Sequence, residues 1–517
     1  MKGQRWLRPV RIILALIFLV GFVFLFSDVK GNTPYFLYQS ITYSQFLPSL
    51  LKFLVVPGFL AAGFLVVVLL TLFSGRVYCS VFCPLGIMQD AISFIKRRLP
   101  FKSRRRKFRK ALNFIRYPIL GLAILSLFFT GILAINWLDP YANFGRIASN
   151  IYQPGYIALR NLLAKVLMSM DIYSLQPFVQ KIFHPLPFFF ALFIFLGIVA
   201  MVLYRDRLFC NTVCPVGAIL GLLSKVSFLK VSIAKTSCTQ CGKCQLECKA
   251  NCIDIKQMRV DETRCVSCFN CINVCDDSAI GLKKAWVRPV NEANSFDNSK
   301  RNFLKAGLLF AGAYPLLAKA EEGENDHPSF CHRGPISPPG SLSIEHLKDK
   351  CIACHLCVSV CPTKVLQPSF LEYGFTGMML PHMDNSTGFC NFDCVKCGEV
   401  CPTGAIIPLS QEEKKTTQIG KVFFNQNLCI VQTEGTACGS CSEHCPTQAV
   451  YMVPYQDGLT IPQTNPQICV GCGACEYACP VENPHVAIYV APHEIHQLAQ
   501  KPESEKIEVE ETEEFPF

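Results

Sequence analysis

Thirty of the 517 residues are cysteine, and nearly all fall in short runs with the spacing of a ligand set. From Cys238 to Cys275 the pattern C-x2-C-x2-C-x3-C occurs twice, in "CTQCGKCQLECKANC" and "CVSCFNCINVC". Thiolates in that order hold two cubane iron–sulfur clusters, with the first three of each run on one cluster and the fourth on the other. This gives Cys238, Cys241, Cys244 and Cys275 one cluster, and Cys265, Cys268, Cys271 and Cys248 the second. Zinc sites pair two separated C-x2-C elements instead. Proline follows neither fourth cysteine, and Cys252 is an extra candidate beside Cys248.

Four more runs follow, each with proline after its last cysteine: Cys351, Cys354, Cys357, Cys361; Cys390, Cys394, Cys397, Cys401; Cys429, Cys438, Cys441, Cys445; and Cys469, Cys472, Cys475, Cys479. They predict four further [4Fe–4S] clusters, six in all. The second and third runs open with longer loops, so the expectation is nesting. Cys351, Cys354 and Cys357 would pair with Cys479, and Cys469, Cys472 and Cys475 with Cys361. Cys390, Cys394 and Cys397 would pair with Cys445, and Cys429, Cys438 and Cys441 with Cys401. "CIACH" (Cys351–His355) matches a haem attachment pattern, but haem would strand Cys357 and Cys361, so no haem is expected. Cys331 is read as an unpaired bystander.

The elements that must position these sites begin with apolar runs: Ile12–Phe26, Phe53–Phe73, Pro118–Leu138 and Pro187–Tyr204. Spanning helices need about 20 apolar residues, so four spans are expected, packed as a polytopic helical membrane domain. Basic residues mark the inner face. Lys2, Arg5, Arg8 and Arg11 precede the first run, "KRRLPFKSRRRKFRK" (Lys96–Lys110) separates the second and third, and Arg205 and Arg207 follow the fourth. "RVYCSVFCPLGIMQDAIS" (Arg76–Ser93) aligns without gaps with "RLFCNTVCPVGAILGLLS" (Arg207–Ser224). If the copies are related by pseudo-symmetry, Cys79, Cys83, Cys210 and Cys214 converge and could hold a seventh cluster. A redox-active thiol pair and simple packing are the competing readings.

Charge divides the chain. Residues 321–517 carry 10 Lys+Arg against 25 Asp+Glu, a net −15; residues 1–320 carry 39 against 13, a net +26. No nucleic-acid motif accompanies the basic half, so a membrane face is the expectation. At the seam lies "NSKRNFLKAGLLFAGAYPLLAKA" (Asn298–Ala320), a basic pair, an apolar run and a small-residue end, the form of an export signal. The organisation expected is residues 1–225 membrane domain, 226–290 inner two-cluster ferredoxin, 291–320 signal or fifth span, 321–498 four-cluster ferredoxin and 499–517 acidic tail. Both ferredoxin parts are expected to be of the bacterial α+β type.

The membrane part with its two Cys-x3-Cys-Pro motifs and trailing ferredoxin resembles NapH-type membrane ferredoxins of quinol-linked periplasmic reductase systems. The part after the seam resembles their NapG-type partners, through "ISPPGSL" (Ile336–Leu342), the irregular third motif and a twin-arginine-like signal, although Lys300-Arg301 stands where that family has two arginines. The resemblance implies a fusion of two usually separate chains, with folded cargo exported by the twin-arginine route. The expected product is a multi-pass protein of the cytoplasmic membrane with an extracytoplasmic C-terminal ferredoxin. It would pass electrons between the quinone pool and an extracytoplasmic redox protein or reductase. His184 and Asp139 could manage quinol protons, or be an interfacial histidine and a turn-starting aspartate. An assembly or maturation factor that reduces a client protein is the alternative, and a structural or sensing subunit a third. No Rossmann or P-loop pattern is present.

Overall fold

Leu7–Ser27 and Pro185–Tyr204 form unbroken helices of 21 and 20 residues. At about 1.5 Å per residue each is about 30 Å long, the thickness of a bilayer's hydrocarbon core. In this computed structural model, which describes residues 4–29, 31–58, 61–98, 106–129, 131–178, 184–284, 334–481 and 486–500, they are the two helices long and apolar enough to cross a membrane. The first buries Ala15, Phe22, Leu25 and Phe26 against its neighbours and leaves Ile13, Ile17, Val20 and Phe24 exposed. The expected signal or fifth span, Cys331 and the tail from residue 501 lie outside the described residues.

The expectation of four continuous spans is corrected for the middle two. The run Phe53–Phe73 is split between the helices Phe46–Val55 and Gly63–Ser74, with Pro57-Gly58 between them. Proline supplies no backbone N–H and disfavours helix in the residue before it. The run Pro118–Leu138 is split between Asn113–Phe129 and Leu133–Leu138, and Gly131, at φ +62°, lies at the break. The resulting helices have 10, 12, 17 and 6 residues, each below the length expected of a straight span.

The ferredoxin of residues 226–290 is an ordered strand–motif–hairpin–motif–strand unit. Leu229–Ile233 pairs antiparallel with Ile280–Lys284, and the hairpin Ile253–Asp254/Arg259–Val260 lies between the two cysteine runs. The third and fourth runs of the C-terminal part repeat this plan. Thr417–Phe424 pairs antiparallel with Ile488–Leu498, with the hairpin Val450–Pro454/Thr460–Thr464 between the runs. The first and second runs flank a third hairpin, Leu366–Pro368/Pro381–Met383.

This order overturns the nested pairing. Cys361 lines one cavity with Cys390, Cys394 and Cys397, while Cys401 is the electrostatic neighbour of Cys351, Cys354 and Cys357. Cys479 stands beside Cys429, Cys438 and Cys441, and Cys445 beside Cys469, Cys472 and Cys475. Consecutive runs therefore pair, first with second and third with fourth. The long spacer between Cys429 and Cys438 is taken up locally by the short helix Ile430–Thr433, so it changes a loop and not the pairing.

The two ferredoxin parts sit at opposite ends of the long helices. At the start of Leu7–Ser27, Gln4 exchanges two hydrogen bonds with the backbone of Leu282 (3.3 and 2.9 Å), and Arg5 donates to the carbonyl of Cys275 at 3.0 Å. Beyond its other end, Lys364 donates to the carbonyl of Val29 at 3.4 Å. At the start of Pro185–Tyr204, His184 lies 4.0 Å from Asp384. One continuous buried cluster runs from Cys268 through Cys79, Cys83, Cys210 and Cys214 to Cys354, Cys357 and Cys361.

Candidate functional site

Cys79 and Cys210 sit in the one-turn helices Tyr78–Val81 and Leu208–Thr212; Cys83 and Cys214 each precede the proline that opens the next helix. Proline suits a helix start because its missing N–H would have no partner there. All four thiols are buried and they converge: Cys83 faces Cys210 and Cys79, and Cys214 faces the other three. The two repeats are bound reciprocally. Arg76 donates to the carbonyl of Cys210 and Arg207 to that of Cys79, each at 2.9 Å. A Cβ at Gly86 would meet the carbonyl oxygen of Cys79 at 2.3 Å, and one at Gly217 that of Cys210 at 2.3 Å. The glycine of each Cys-Pro-x-Gly thus allows the backbone of its own repeat to close over the site.

This pocket fits a [4Fe–4S] cluster. It offers four converging thiols, and two buried guanidiniums stand beside them, Arg76 at 3.7 Å from Cys79 Sγ and Arg207 at 3.9 Å from Cys210 Sγ. Gln89 Nε2 adds a donor to Cys210 Sγ at 3.4 Å, and the Gly217 N–H one to Cys214 Sγ at 3.2 Å. Donors and cations of this kind stabilise thiolate charge. Among the described residues no three side chains lie close enough to share a single metal ion, and a cubane does not require it, because each thiolate binds its own iron.

Asp90 anchors the cationic side. It pairs with Arg207 at 2.7 Å, with Lys249 at 3.0 Å and with Arg11. Burial alone would push its carboxyl up, but Arg207, Lys249 and Arg11 outweigh burial and hold it down at about 2. Asp90→Asn leaves three cations to share a neutral group. Removing one partner from a buried ionic contact costs about 3–5 kcal/mol, so the thermal midpoint of the purified protein should fall clearly; an unchanged midpoint would show the contact is not structural.

In the ferredoxin of residues 226–290, Cys244 faces Cys275, Cys238 and Cys241, the expected set. The second set surrounds a cavity of about 350 Å³ lined by Cys248, Cys252, Cys265, Cys268 and Cys271. Cys248 Sγ and Cys252 Sγ are 3.5 Å apart, so five thiols serve a site that needs four. Either of the pair can complete it. Cys248→Ser and Cys252→Ser should each keep the cluster, while the double variant should lose about four iron atoms; iron analysis of the three variants reads this directly, and loss in Cys248→Ser alone would exclude Cys252. In the C-terminal part the cavity bounded by Cys361, Cys390, Cys394 and Cys397 measures about 370 Å³.

The histidine of "CIACH" has a different use. His355 is buried at φ +59°, with Nδ1 3.0 Å from Asn150 Nδ2 and Nε2 2.9 Å from the carbonyl oxygen of Met379. Asp139 caps the helix Pro140–Ile147 by accepting the N–H of Ala142 at 2.7 Å. Burial pushes its carboxyl up to about 7 despite that bond and the nearby Arg146. Sequence reasoning missed Arg76, Arg207, Gly86, Gly217 and Gln89. The first four were within reach, because the gapless repeat also superposes Arg76 on Arg207 and Gly86 on Gly217.

Known proteins carry domains of the same class. A 4Fe-4S binding domain family matches residues 56–102 and again 187–233, the two Cys-x3-Cys-Pro repeats. 4Fe-4S dicluster domain families match residues 261–365 and 436–483. The chain is 31% identical over 168 residues to the methylamine utilization ferredoxin-type protein MauM of Methylophilus methylotrophus, covering 31% of this chain and 72% of that one. It is 28% identical over 146 residues to the ferredoxin-type protein NapF of Escherichia coli K12 (28% and 80% of the chains), and 25% identical over 201 residues to NapG of the same strain (37% and 85%). No solved structure matches.

Proposed function

The chain belongs to the ferredoxin-type proteins, the family of MauM, and from that we propose that it carries electrons across a membrane, between the quinol pool and an extracytoplasmic redox partner, as a NapH-type unit fused to a NapG-type one. Iron–sulfur electron transfer is the family's chemistry; a bound [4Fe–4S] cluster supplies one-electron redox change. The observation that carries the transmembrane reading is the position of the two ferredoxin parts at opposite ends of 21- and 20-residue apolar helices, with four buried cysteines in the continuous core between them. The charge division of the chain supports the same sidedness. The chain's residues would hold the clusters, keep water from the central thiols and, at Asp139, hold a proton near neutral pH.

Two measurements on the full chain test this. Protease added to intact spheroplasts should digest the part after Ala320 and spare Cys238–Cys275; protection of both until lysis would overturn the sidedness. A menaquinol analogue added to purified protein should reduce its clusters rapidly. Inertness to quinol, with oxidation only by a client protein, would favour the maturation-factor reading instead.

A further inference from the structure

At the end of the helix Pro185–Tyr204 that adjoins the two-cluster ferredoxin, a cleft open to solvent lies where three segments meet: Lys110–Leu112, Arg205–Thr212 and Lys249–Asn251, with Arg264 at one side. Its charged lining is wholly basic, consisting of Lys110, Arg205, Arg207, Lys249 and Arg264. Only two carboxylates reach these cations among the described residues. Asp90 is shared by Arg207, Lys249 and Arg11, and Asp261 pairs with Arg264 at 2.6 Å. Among the described residues the ion pairs of this cleft are made by Arg207, Lys249 and Arg264, and Lys110 and Arg205 are in none of them. Arg207 is 1% exposed, and its Nε has no hydrogen-bond partner; the buried Nε of Arg205 has none either.

Arg8, Arg11, Arg76 and Arg116 carry unpartnered Nε groups away from this cleft as well, so it is the excess of cations around one opening that calls for an anion. Part of the positive charge answers the cysteine sites: Arg207 approaches Cys210 Sγ and Lys249 lies near Cys268. That leaves Lys110 and Arg205 at the rim. The rim is also where the apolar helix ends, and the exposed ring of Tyr204 lies between Arg109 and Arg205, at 5.6 and 5.2 Å from their guanidinium carbons. Aromatic and basic residues of this kind mark the headgroup level of a bilayer.

We propose that this basic cleft, formed where the membrane helices meet the inner ferredoxin, is a binding site for a phosphate group, carried by an anionic phospholipid headgroup or free in solution. Basic pockets between helices at an inner membrane face bind anionic headgroups by this chemistry, with Arg supplying paired donors to phosphate oxygens. Occupancy would tie the loop Lys110–Leu112 and the Cys248–Cys252 turn to the helix end, and so link lipid composition to the seating of the inner ferredoxin.

The test uses delipidated full-length protein in detergent, titrated with dioleoylphosphatidylglycerol, with dioleoylphosphatidylcholine and with inorganic phosphate, and read by native mass spectrometry and calorimetry. Lys110→Gln and the double variant Lys110→Gln/Arg205→Gln are compared with Lys165→Gln, an equal charge change on an exposed residue elsewhere; iron content confirms that each is folded. The expected result is one phosphatidylglycerol per chain, bound about tenfold more weakly in Lys110→Gln and more weakly still in the double variant, with Lys165→Gln unchanged. The same pattern with inorganic phosphate but not with the lipid assigns the site to a free anion. Binding of neither, equal binding of phosphatidylcholine, or equal weakening by Lys165→Gln overturns the proposal.

Discussion

Replacing Cys79 and Cys210 together by serine should lower the iron content from about 28 to about 24 atoms per chain, since seven cubanes hold four each. The two residues belong to different repeats, so neither repeat alone can be a complete site. Their thiols are buried, face one another and are each backed by the arginine three residues earlier. A single zinc ion would need the sulfurs gathered around one point, and among the described residues no three Cys, His, Asp or Glu side chains are. Serine keeps the volume and the backbone bonds of Arg76 and Arg207 to residues 79 and 210, so the protein should still fold. The loss should therefore be confined to one cluster, with the ferredoxin clusters still reducible by dithionite. A wild-type content of about 24 that does not change in the variant would show that the four cysteines of the repeats hold no iron.

What was legible in the sequence was what is local. The first three cysteines of a run, such as Cys469, Cys472 and Cys475, carry their own ligand geometry, and the structure keeps those three together. The repeat Arg76–Ser93/Arg207–Ser224 was legible too, because two copies of one local shape imply an approximate symmetry. Pairing between runs was not. Whether Cys361 serves the cluster of Cys390 or that of Cys469 depends on which helix lies beside which, and loop length says little of that. Arg76 and Arg207 were hidden for a related reason. Arginine after an apolar run reads as a charge at a membrane face, and burial becomes affordable only when the other repeat supplies carbonyls, here those of Cys210 and Cys79. The split runs at Pro57-Gly58 and Gly131 show the opposite failure: the breakers stood in plain view, but counting apolar residues outweighed them.

Arg146→Met should release the C-terminal ferredoxin part from the helices. Arg146 is 1% exposed and makes the central contact of that junction. It donates through Nε to the carbonyl of Ala353 at 3.1 Å and through Nη2 to those of Ile352 at 3.3 Å and Asn136 at 2.9 Å. Ala353 lies between two cluster cysteines, Cys351 and Cys354, at φ +50°. The arginine therefore clamps the ligand loop itself. Around it, Gln153 donates to the carbonyl of Ser359 at 2.8 Å, and a Cβ at Gly145 would stand 2.2 Å from the carbonyl oxygen of Cys354. Methionine fills similar space but leaves the buried carbonyls of Ala353 and Ile352 without their donor, at about 1–3 kcal/mol each. Even a total near 3 kcal/mol weakens association about a hundredfold. With a protease site introduced after Ala320, the cut wild-type protein should stay in one piece on size exclusion, while cut Arg146→Met should separate into two iron-containing fragments. Arg146→Lys, which restores one donor, should fall between them. If the cut Arg146→Met protein migrates as a single particle, the junction is held by the apolar contact alone, and the route from the four repeat cysteines to Cys354 does not depend on this clamp.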